Sequence, residues 1–258
     1  MTCRIDFAKY TSVRIGGVIE ARVLDEVCAL AENERIIGAG CNLLVSPNPP
    51  AVAVLSKKFD YIKKHEDMLE VGAATSAATL FSYLRSNDLG GLEFIRSIPG
   101  QIGGLVFMNA GLMGLSMSDT LVQVLTPRGW MDKGEFSFSY RHSGITEPVF
   151  AARFLLQDKF NQTLSTELSN KRKNQPRGAS FGSCFKNPKG DFAGRLIEAV
   201  GLKGQTVGGA KFSETHANFL INFNNASFFD AINLISLAKK RVLENFGIEL
   251  ETEVCVLQ

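Results

Sequence analysis

The sequence predicts an α+β protein, and three observations predict it. Strand-period segments recur along the 258 residues. Amphipathic helices with their own capping residues stand among them, and two glycine-rich loops border strand-like runs. With 45% hydrophobic and 21% charged residues the chain has the balance of a core-forming globular protein, and its length allows one to three domains. Lysine and arginine number 28 against 26 acidic residues, so a net charge of +2 gives no overall pull toward nucleic acid or a membrane surface.

Arg35-Ile36-Ile37 reads as a short strand entering the loop Gly38-Ala39-Gly40. A dinucleotide fingerprint would continue with a third glycine and a helix. Leu43 stands at that position instead, and Pro47, Pro49 and Pro50 forbid a helix soon after. The loop suits a phosphate but is not of the Rossmann kind. Val52–Leu55 and Met68–Val71 are further strands. Ser76 to Asn87 fits a helix closed by Asp88-Leu89-Gly90-Gly91, where glycine suits the left-handed cap.

A second glycine loop follows, with Pro99, Gly100, Gly103 and Gly104, and then Asn109-Ala110-Gly111. Glycines let backbone N–H groups approach an anion or a flat ring closely. Two such loops in one chain point to a diphosphate-containing cofactor.

Glu135 to Arg141 alternates with the period of a strand, its aromatics on one face and Arg141 opposite with Ser137 and Ser139. Asp191 should cap a helix with Ala193, Leu196, Ile197 and Val200 on one face and Gly201 after it. Ser227 and Asp230 form a capping-box pattern that opens a longer helix. Its stripe is Ala231, Leu234, Ile235, Ala238 and Val242, and Gly247 follows. Ile248 to Leu257 alternates again, placing Glu249, Glu251 and Glu253 on one face with Cys255. Three carboxylates on one face are either solvated, or one is withdrawn into a pocket where desolvation raises its pKa.

Gly182 to Pro188 carries the densest chemistry. Ser183, Lys186 and Asn187 hold too many polar groups to be core, so this segment reads as a loop facing a ligand. The basic cluster Lys171-Arg172-Lys173, with Arg177 beyond, reads as a solvated helix end or a phosphate contact. Five cysteines (3, 28, 41, 184 and 255) without a Cys-x-x-Cys pair argue against a disulfide framework, and with three histidines no metal site is expected. The amino-terminal residues have no apolar signal region and no stretch reaches membrane-span length, so a cytoplasmic protein is expected.

Seven segments, in order, carry a family resemblance: Ser12–Gly17, Gly38–Val45, Gly91-Leu92-Glu93-Phe94 through Asn109-Ala110-Gly111, Tyr140–Ser143, Gly182–Pro188, Ala193–Glu198, and Leu250–Val254. On these the chain resembles the UDP-N-acetylenolpyruvoylglucosamine reductases, flavoenzymes of bacterial peptidoglycan precursor synthesis. The resemblance implies an FAD-binding fold of the PCMH/vanillyl-alcohol-oxidase type, made of two N-terminal α+β subdomains, plus a C-terminal α+β substrate-binding domain. On this sequence that means subdomains at 1–55 and 56–160, a substrate domain at 161–247, and a terminal strand at 248–258 returning to the first. The implied activity is NADPH-dependent reduction of the enolpyruvyl ether of a UDP-sugar, by a monomer with no nucleic-acid or membrane partner.

The resemblance also assigns residues. FAD would be held by Gly38, Ala39, Gly40, Cys41, Asn42 and Leu43, by Pro99, Gly100, Gly103 and Gly104, and by Asn109, Ala110 and Gly111. Arg141 and Glu253 would address the substrate carboxylate, with Ser183 as proton donor and Lys186 and Asn187 as substrate contacts. Two departures stand out: Cys41 replaces a frequent serine, and Cys255 a frequent arginine. Only 42 positions separate Arg141 from Ser183, too few for the tyrosine-bearing lid of longer members, so the chain fits the shorter type.

Two other readings compete. Another FAD-dependent oxidoreductase on the same scaffold is one, although no histidine lies in a glycine loop for covalent flavin attachment. A noncatalytic nucleotide-sugar-binding protein is the other, against which Arg141, Ser183 and Glu253 are all present.

Overall fold

A computed structural model describes residues 1–258. By its internal contacts the chain divides into two units. The first is Met1–Cys3, Ala21–Ala39 and Ala51–Lys173; the second is Arg4–Glu20, Gly40–Pro50 and Asn174–Gln258.

The first unit is built on a five-stranded antiparallel sheet in the spatial order Gly129–Asp132, Leu121–Thr126, Ala151–Leu155, Met68–Gly72, Ile62–His65. Its apolar face carries Leu69, Val71, Val124, Ala152 and Phe154, all buried, under the helix Ala77–Ser86 with its buried Leu80 and Leu84. Its polar face is a row of directly opposed partners, Lys63, Glu70, Arg153, Gln123 and Asp132. Arg153 donates from Nε and Nη2 to Glu70 Oε2 at 3.0 and 2.8 Å, and its guanidinium lies 3.8 Å over the Trp130 ring. Tyr61 donates to the other Glu70 oxygen at 3.0 Å. Burial, with the Glu70 carboxylate beside it, pushes the Tyr61 hydroxyl up to about 12. A smaller parallel group pairs Val52–Leu55 with Ala21 to Leu24 on one side and with Arg35–Ile36 on the other.

The helix expected at 76–87 forms as Ala77–Ser86, because Ser76 Oγ accepts the Thr79 N–H at 3.0 Å and closes its first turn. Its left-handed terminator is Asp88, at φ +54°, not a glycine; Leu89–Gly90 go on to pair with Gln157–Asp158. The cluster at 171–173 is a helix end: Lys171 is the last residue of Gln162–Lys171 and Arg172 its C-cap. Cations there offset the negative end of the helix dipole.

The alternating segment 135–141 is not a strand. Lys133–Glu135 is a short 3-10 turn capped by Asp132, and the chain then runs as a loop into a tight turn at 139–142. The alternation is used for packing instead of pairing: Phe136 and Phe138 meet edge to face at 6.3 Å and lean on the core of this unit.

The second unit holds a four-stranded antiparallel sheet in the order Ala179–Ser183, Phe219–Asn222, Ala210–Phe212, Thr206–Val207. The helix Phe228–Phe246 packs on it with the predicted stripe, Ala231, Leu234, Ile235, Ala238 and Val242, fully inward. Burying each leucine or isoleucine of that stripe is worth about 1.5–3 kcal/mol. The Ser227–Asp230 capping box closes both ways, and Gly247 ends the helix at φ +66°. The helix predicted after Asp191 forms as Ala193–Ala199, but Asp191 is not its cap. Asp191 pairs with Arg195 and accepts the Phe192 N–H, while Asn187 Oδ1 takes the Ala193 N–H at 3.1 Å.

The alternating carboxyl-terminal segment is a strand only at Cys255–Leu257, pairing in parallel with Leu43–Val45. Upstream its backbone bonds are spent elsewhere: Glu253 N–H goes to Cys184 O and Glu251 O accepts Lys186 N–H. The alternation holds for Leu250 and Val254, which are buried, but at the strand end Leu257 is buried and Val256 only partly so.

Candidate functional site

In the first unit, Arg141 occupies the third position of the turn Ser139-Tyr140-Arg141-His142, closed by reciprocal backbone bonds of 2.9 and 3.2 Å. Its φ of +54° is a conformation that glycine or asparagine usually fills. Holding a branched-off arginine there costs about 1–2 kcal/mol. The turn keeps it through three anchors. Asn109, 4% exposed, donates from Nδ2 to Ser139 O at 2.8 Å and accepts the Ser118 N–H at Oδ1 at 3.1 Å. Ser143 Oγ donates to Phe107 O at 2.6 Å. Arg141 itself donates from Nη2 to Gly111 O at 2.9 Å and lies 5.2 Å from the Tyr140 ring centre. Backbone strain held by its surroundings is a mark of functional positions.

The same unit contains Gly38, Ala39, Pro99, Gly100, Gly103, Gly104 and 109–111 of the predicted cofactor residues. A side-chain carbon at Gly38 would stand 3.4 Å from Gln101 Oε1, so the two glycine loops are neighbours. The glycines there do different work. Gly103 is a packing glycine: its N–H is bonded to Ala73 O at 2.9 Å and a Cβ would fall 2.8 Å from that of Ala73. Gly104 is exposed, with no heavy atom within 4 Å of where a Cβ would be. Gly111 cannot carry a side chain either, since a Cβ would meet Leu115 O at 2.1 Å. Asn109 to Gly111 thus form a structural turn whose amide and carbonyl hold the Arg141 loop.

In the second unit, Gly40 turns at φ +66° and a Cβ there would press on Thr11 Cα and the Tyr10 ring at 3.1 Å. Ser12 fixes this turn by donating to Cys41 O at 3.0 Å and to Gly40 O through its backbone at 3.1 Å. Asn42 Nδ2 donates to Glu253 O at 2.9 Å, and Asn42 O accepts the Cys255 N–H at 3.1 Å. The glycine loop therefore holds Glu253 directly. A strand bulge between Ser180 and Ser183, with Gly182 at φ +86°, delivers Ser183 half-buried at the strand end. The next residues lie beside 251–254, and Lys186 pairs with Glu251. The Lys186 ammonium is 18% exposed while Glu251 is 71% exposed, so the pair sits at the rim of this segment.

Burial pushes the Cys184 and Cys41 thiols up, so both stay protonated at neutral pH; all five cysteines are free thiols. No group of three or more His, Cys, Asp or Glu is placed to hold a metal, and no helix is long and apolar enough to cross a membrane.

Asn218 was invisible to sequence reasoning. It is 3% exposed and bonds to Cys184 and Phe185, and only the fold brings it to a segment 33 positions away.

Comparison with known proteins gives the family. Residues 174–257 match the family model described as UDP-N-acetylenolpyruvoylglucosamine reductase, C-terminal domain, and the match begins where the last segment of the second unit begins. A UDP-N-acetylenolpyruvoylglucosamine reductase of Helicobacter hepaticus is 49% identical over 258 residues, 98% of each chain. One from Campylobacter jejuni (strain RM1221) is 46% identical, over 98% of this chain and 99% of that one. The chain belongs to this reductase family. The crystal structure of UDP-N-acetylenolpyruvylglucosamine reductase (MurB) from Thermus caldophilus superposes with a TM-score of 0.84 at 32% identity, over 100% of this chain and 99% of that one. The fold is accordingly the family's α+β FAD-binding fold of the PCMH/vanillyl-alcohol-oxidase type. The residues present fit that cofactor: within the first unit Gly38 stands beside Gln101 and Gly104 leaves its backbone free of side-chain cover, and within the second Gly40 turns at a left-handed φ that favours glycine.

Proposed function

We propose that this protein is an FAD- and NADPH-dependent reductase that converts UDP-N-acetylglucosamine enolpyruvate to UDP-N-acetylmuramate, acting as a cytoplasmic monomer in peptidoglycan precursor synthesis. The observation that carries the reading is relatedness over 98% of the chain to enzymes named for that substrate. FAD, when bound, would supply hydride for the terminal vinyl carbon, with NADPH as the reductant. A proton must then reach the adjacent carbon, and the negative charge that builds on the neighbouring carboxylate in between must be held.

Those two tasks fall to this chain's residues. Arg141 meets the carboxylate as a permanent, planar cation, and its bond to Gly111 O supports a fixed guanidinium plane. Glu253 is assigned to the same carboxylate; kept protonated, a glutamic acid can donate a hydrogen bond to it. Ser183 gives its hydroxyl proton to the carbon, and the enolate-like carbon is basic enough to take it. Lys186, already balanced by Glu251, steadies the resulting alkoxide, and Asn187 contacts substrate with the amide end not used to cap Ala193. Segments 1–55 and 56–160 hold FAD through residues 38–43, through Pro99, Gly100, Gly103 and Gly104, and through 109–111, with 161–247 as substrate domain. The pairing of Cys255–Leu257 with Leu43–Val45 supports the return of the terminal strand to the first segment.

Ser183→Ala tests this. NADPH should bleach the flavin at near the wild-type rate, since no carbon is protonated in that half-reaction. Reoxidation by the enolpyruvyl substrate should slow by about 10²–10⁴-fold, the usual contribution of a general acid. Stopped-flow absorbance separates the steps, and normal reoxidation would remove Ser183 from the mechanism.

A further inference from the structure

We propose that Asn218 is the positioning residue of the proton-donating segment: it stands in for a missing strand and fixes the backbone from which Ser183 and Lys186 project. The proposal rests on the reading of Ser183 as proton donor. The strand Ala179–Ser183 pairs with Phe219–Asn222 only as far as the Ser183–Phe219 partners. Beyond them the sheet has no further strand residue to offer, yet the bonding continues. Asn218 O accepts the Cys184 N–H at 2.7 Å. Its carboxamide then closes on Phe185 from both ends: Oδ1 accepts the Phe185 N–H at 2.9 Å and Nδ2 donates to Phe185 O at 2.8 Å. An amide side chain exchanging both bonds with one residue reproduces a hydrogen-bonded antiparallel pair.

On the other flank Cys184 O accepts the Glu253 N–H at 2.9 Å, and Lys186 N–H reaches Glu251 O at 2.9 Å. Residues 184–186 are therefore the middle of a three-layer ladder in which one outer layer is a side chain. Because Asn218 is 3% exposed, water cannot replace its bonds. Proton transfer is sensitive to placement: an error of about 1 Å in a reacting group can lower the rate about 10²-fold. Bonding on one flank alone would leave the Ser183 end able to swing about the 251–254 contacts.

Two variants of the FAD-loaded protein test this, Asn218→Ala and Asn218→Asp, the second keeping the shape and the Oδ1 acceptor while losing the Nδ2 donor. In Asn218→Ala, amide hydrogen exchange at Phe185 should quicken at least tenfold while the helix Phe228–Phe246 stays protected; Asn218→Asp, which keeps the acceptor of the Phe185 N–H, should quicken it less. Flavin reduction by NADPH should keep its rate, and reoxidation by substrate should fall by about 10²-fold. Unchanged exchange at Phe185 in Asn218→Ala, or equal slowing of both half-reactions in either variant, would overturn the proposal and leave Asn218 a general fold residue. Failure of the underlying reading looks different: Ser183→Ala would then reoxidise normally while Phe185 exchange in the Asn218 variants still quickened.

Discussion

The Arg141 turn of the first unit and the Ser183 segment of the second solve one problem by related means. Each presents a side chain to which the proposed mechanism gives a task, and each is fastened by a buried asparagine, Asn109 at 4% and Asn218 at 3% exposure. They divide their bonds differently. The Asn109 carboxamide is shared between two segments, Ser139 O on one side and Ser118 N–H on the other. The Asn218 carboxamide spends both ends on Phe185. The first arrangement staples two loops together and tolerates strain, as the left-handed Arg141 shows. The second continues the bonding of a sheet edge past the end of its strand. A reactive group on a strained turn needs a clamp across loops; one at a strand end needs only a substitute partner.

The largest effect should come from the strained position itself. Arg141→Gly relieves the left-handed backbone but removes the cation. Turnover should fall by at least about 10²-fold, as when a charge-stabilising group is lost. The melting temperature should hold or rise, because relief of about 1–2 kcal/mol offsets the lost bond to Gly111 O. A clear drop in melting temperature with retained turnover would reverse the assignment and make Arg141 a structural residue.

Next is the clamp. Asn109→Ala leaves Ser139 O and the Ser118 N–H without their partner in a partly buried place, at up to about 1–3 kcal/mol for each unpaired group. A denaturant melt should show that loss, and hydrogen exchange should rise at both 116–119 and 139–142. Exchange rising in only one of the two segments would break the contrast with Asn218, whose loss should be felt at Phe185 and its neighbours.

The glycine loops sharpen the comparison from the cofactor side. Gly40→Val forces a side chain against Thr11 and Tyr10 at a left-handed backbone, so it should destabilise the protein whether or not flavin is present. Gly104→Val meets nothing in the protein and replaces a helix glycine, so the melting temperature of the apoprotein should not fall. If the Gly104 backbone approaches FAD, that variant should nonetheless purify colourless. Stoichiometric flavin in Gly104→Val would take this residue out of the cradle.

Local order was legible in the sequence wherever one segment carries both its pattern and its stops. The helix Phe228–Phe246 was readable from its stripe, its capping box and Gly247, because all three act within the helix. The strand expected at 135–141 failed because alternation says which residues share a face but not whether a partner strand exists. Phe136 and Phe138 satisfied the pattern by packing on one another. The close packing of Gly103 on Ala73 had no signal in the sequence, since Ala73 lies 30 positions back and only the fold brings them together. Glu93 likewise sat in a recognisable motif, yet its buried carboxylate accepts the Gly91 and Asn161 N–H groups and ties loops of the first unit. Asn218 had no local signal at all.

The smallest expected effect tests the support behind Asn218. His216 is half-buried, with its Nδ1 accepting the Asn218 N–H at 3.3 Å, its ring edge-on to Phe219 and its Cε1 against Gly194. Burial first, with Lys203 adding to it, holds this imidazole below its ordinary pKa of 6.5, so the folded protein keeps it neutral. The unfolded chain takes up the proton sooner, and between the two pKa values it binds more protons than the folded one. Stability should therefore be flat above about pH 6.5 as far as this group is concerned, and should decline as the pH falls below it. The slope cannot exceed about 1.4 kcal/mol per pH unit for one proton. His216→Phe keeps a flat ring for Phe219 and Gly194 but cannot titrate. Urea melts of both proteins at pH 7.5 and 5.5 isolate the group, because all other carboxylates and histidines are common to the two. The wild type should lose more stability between the two pH values than the variant does. Identical losses would mean that His216 titrates normally in the folded protein and that the Asn218 N–H does not depend on a neutral ring.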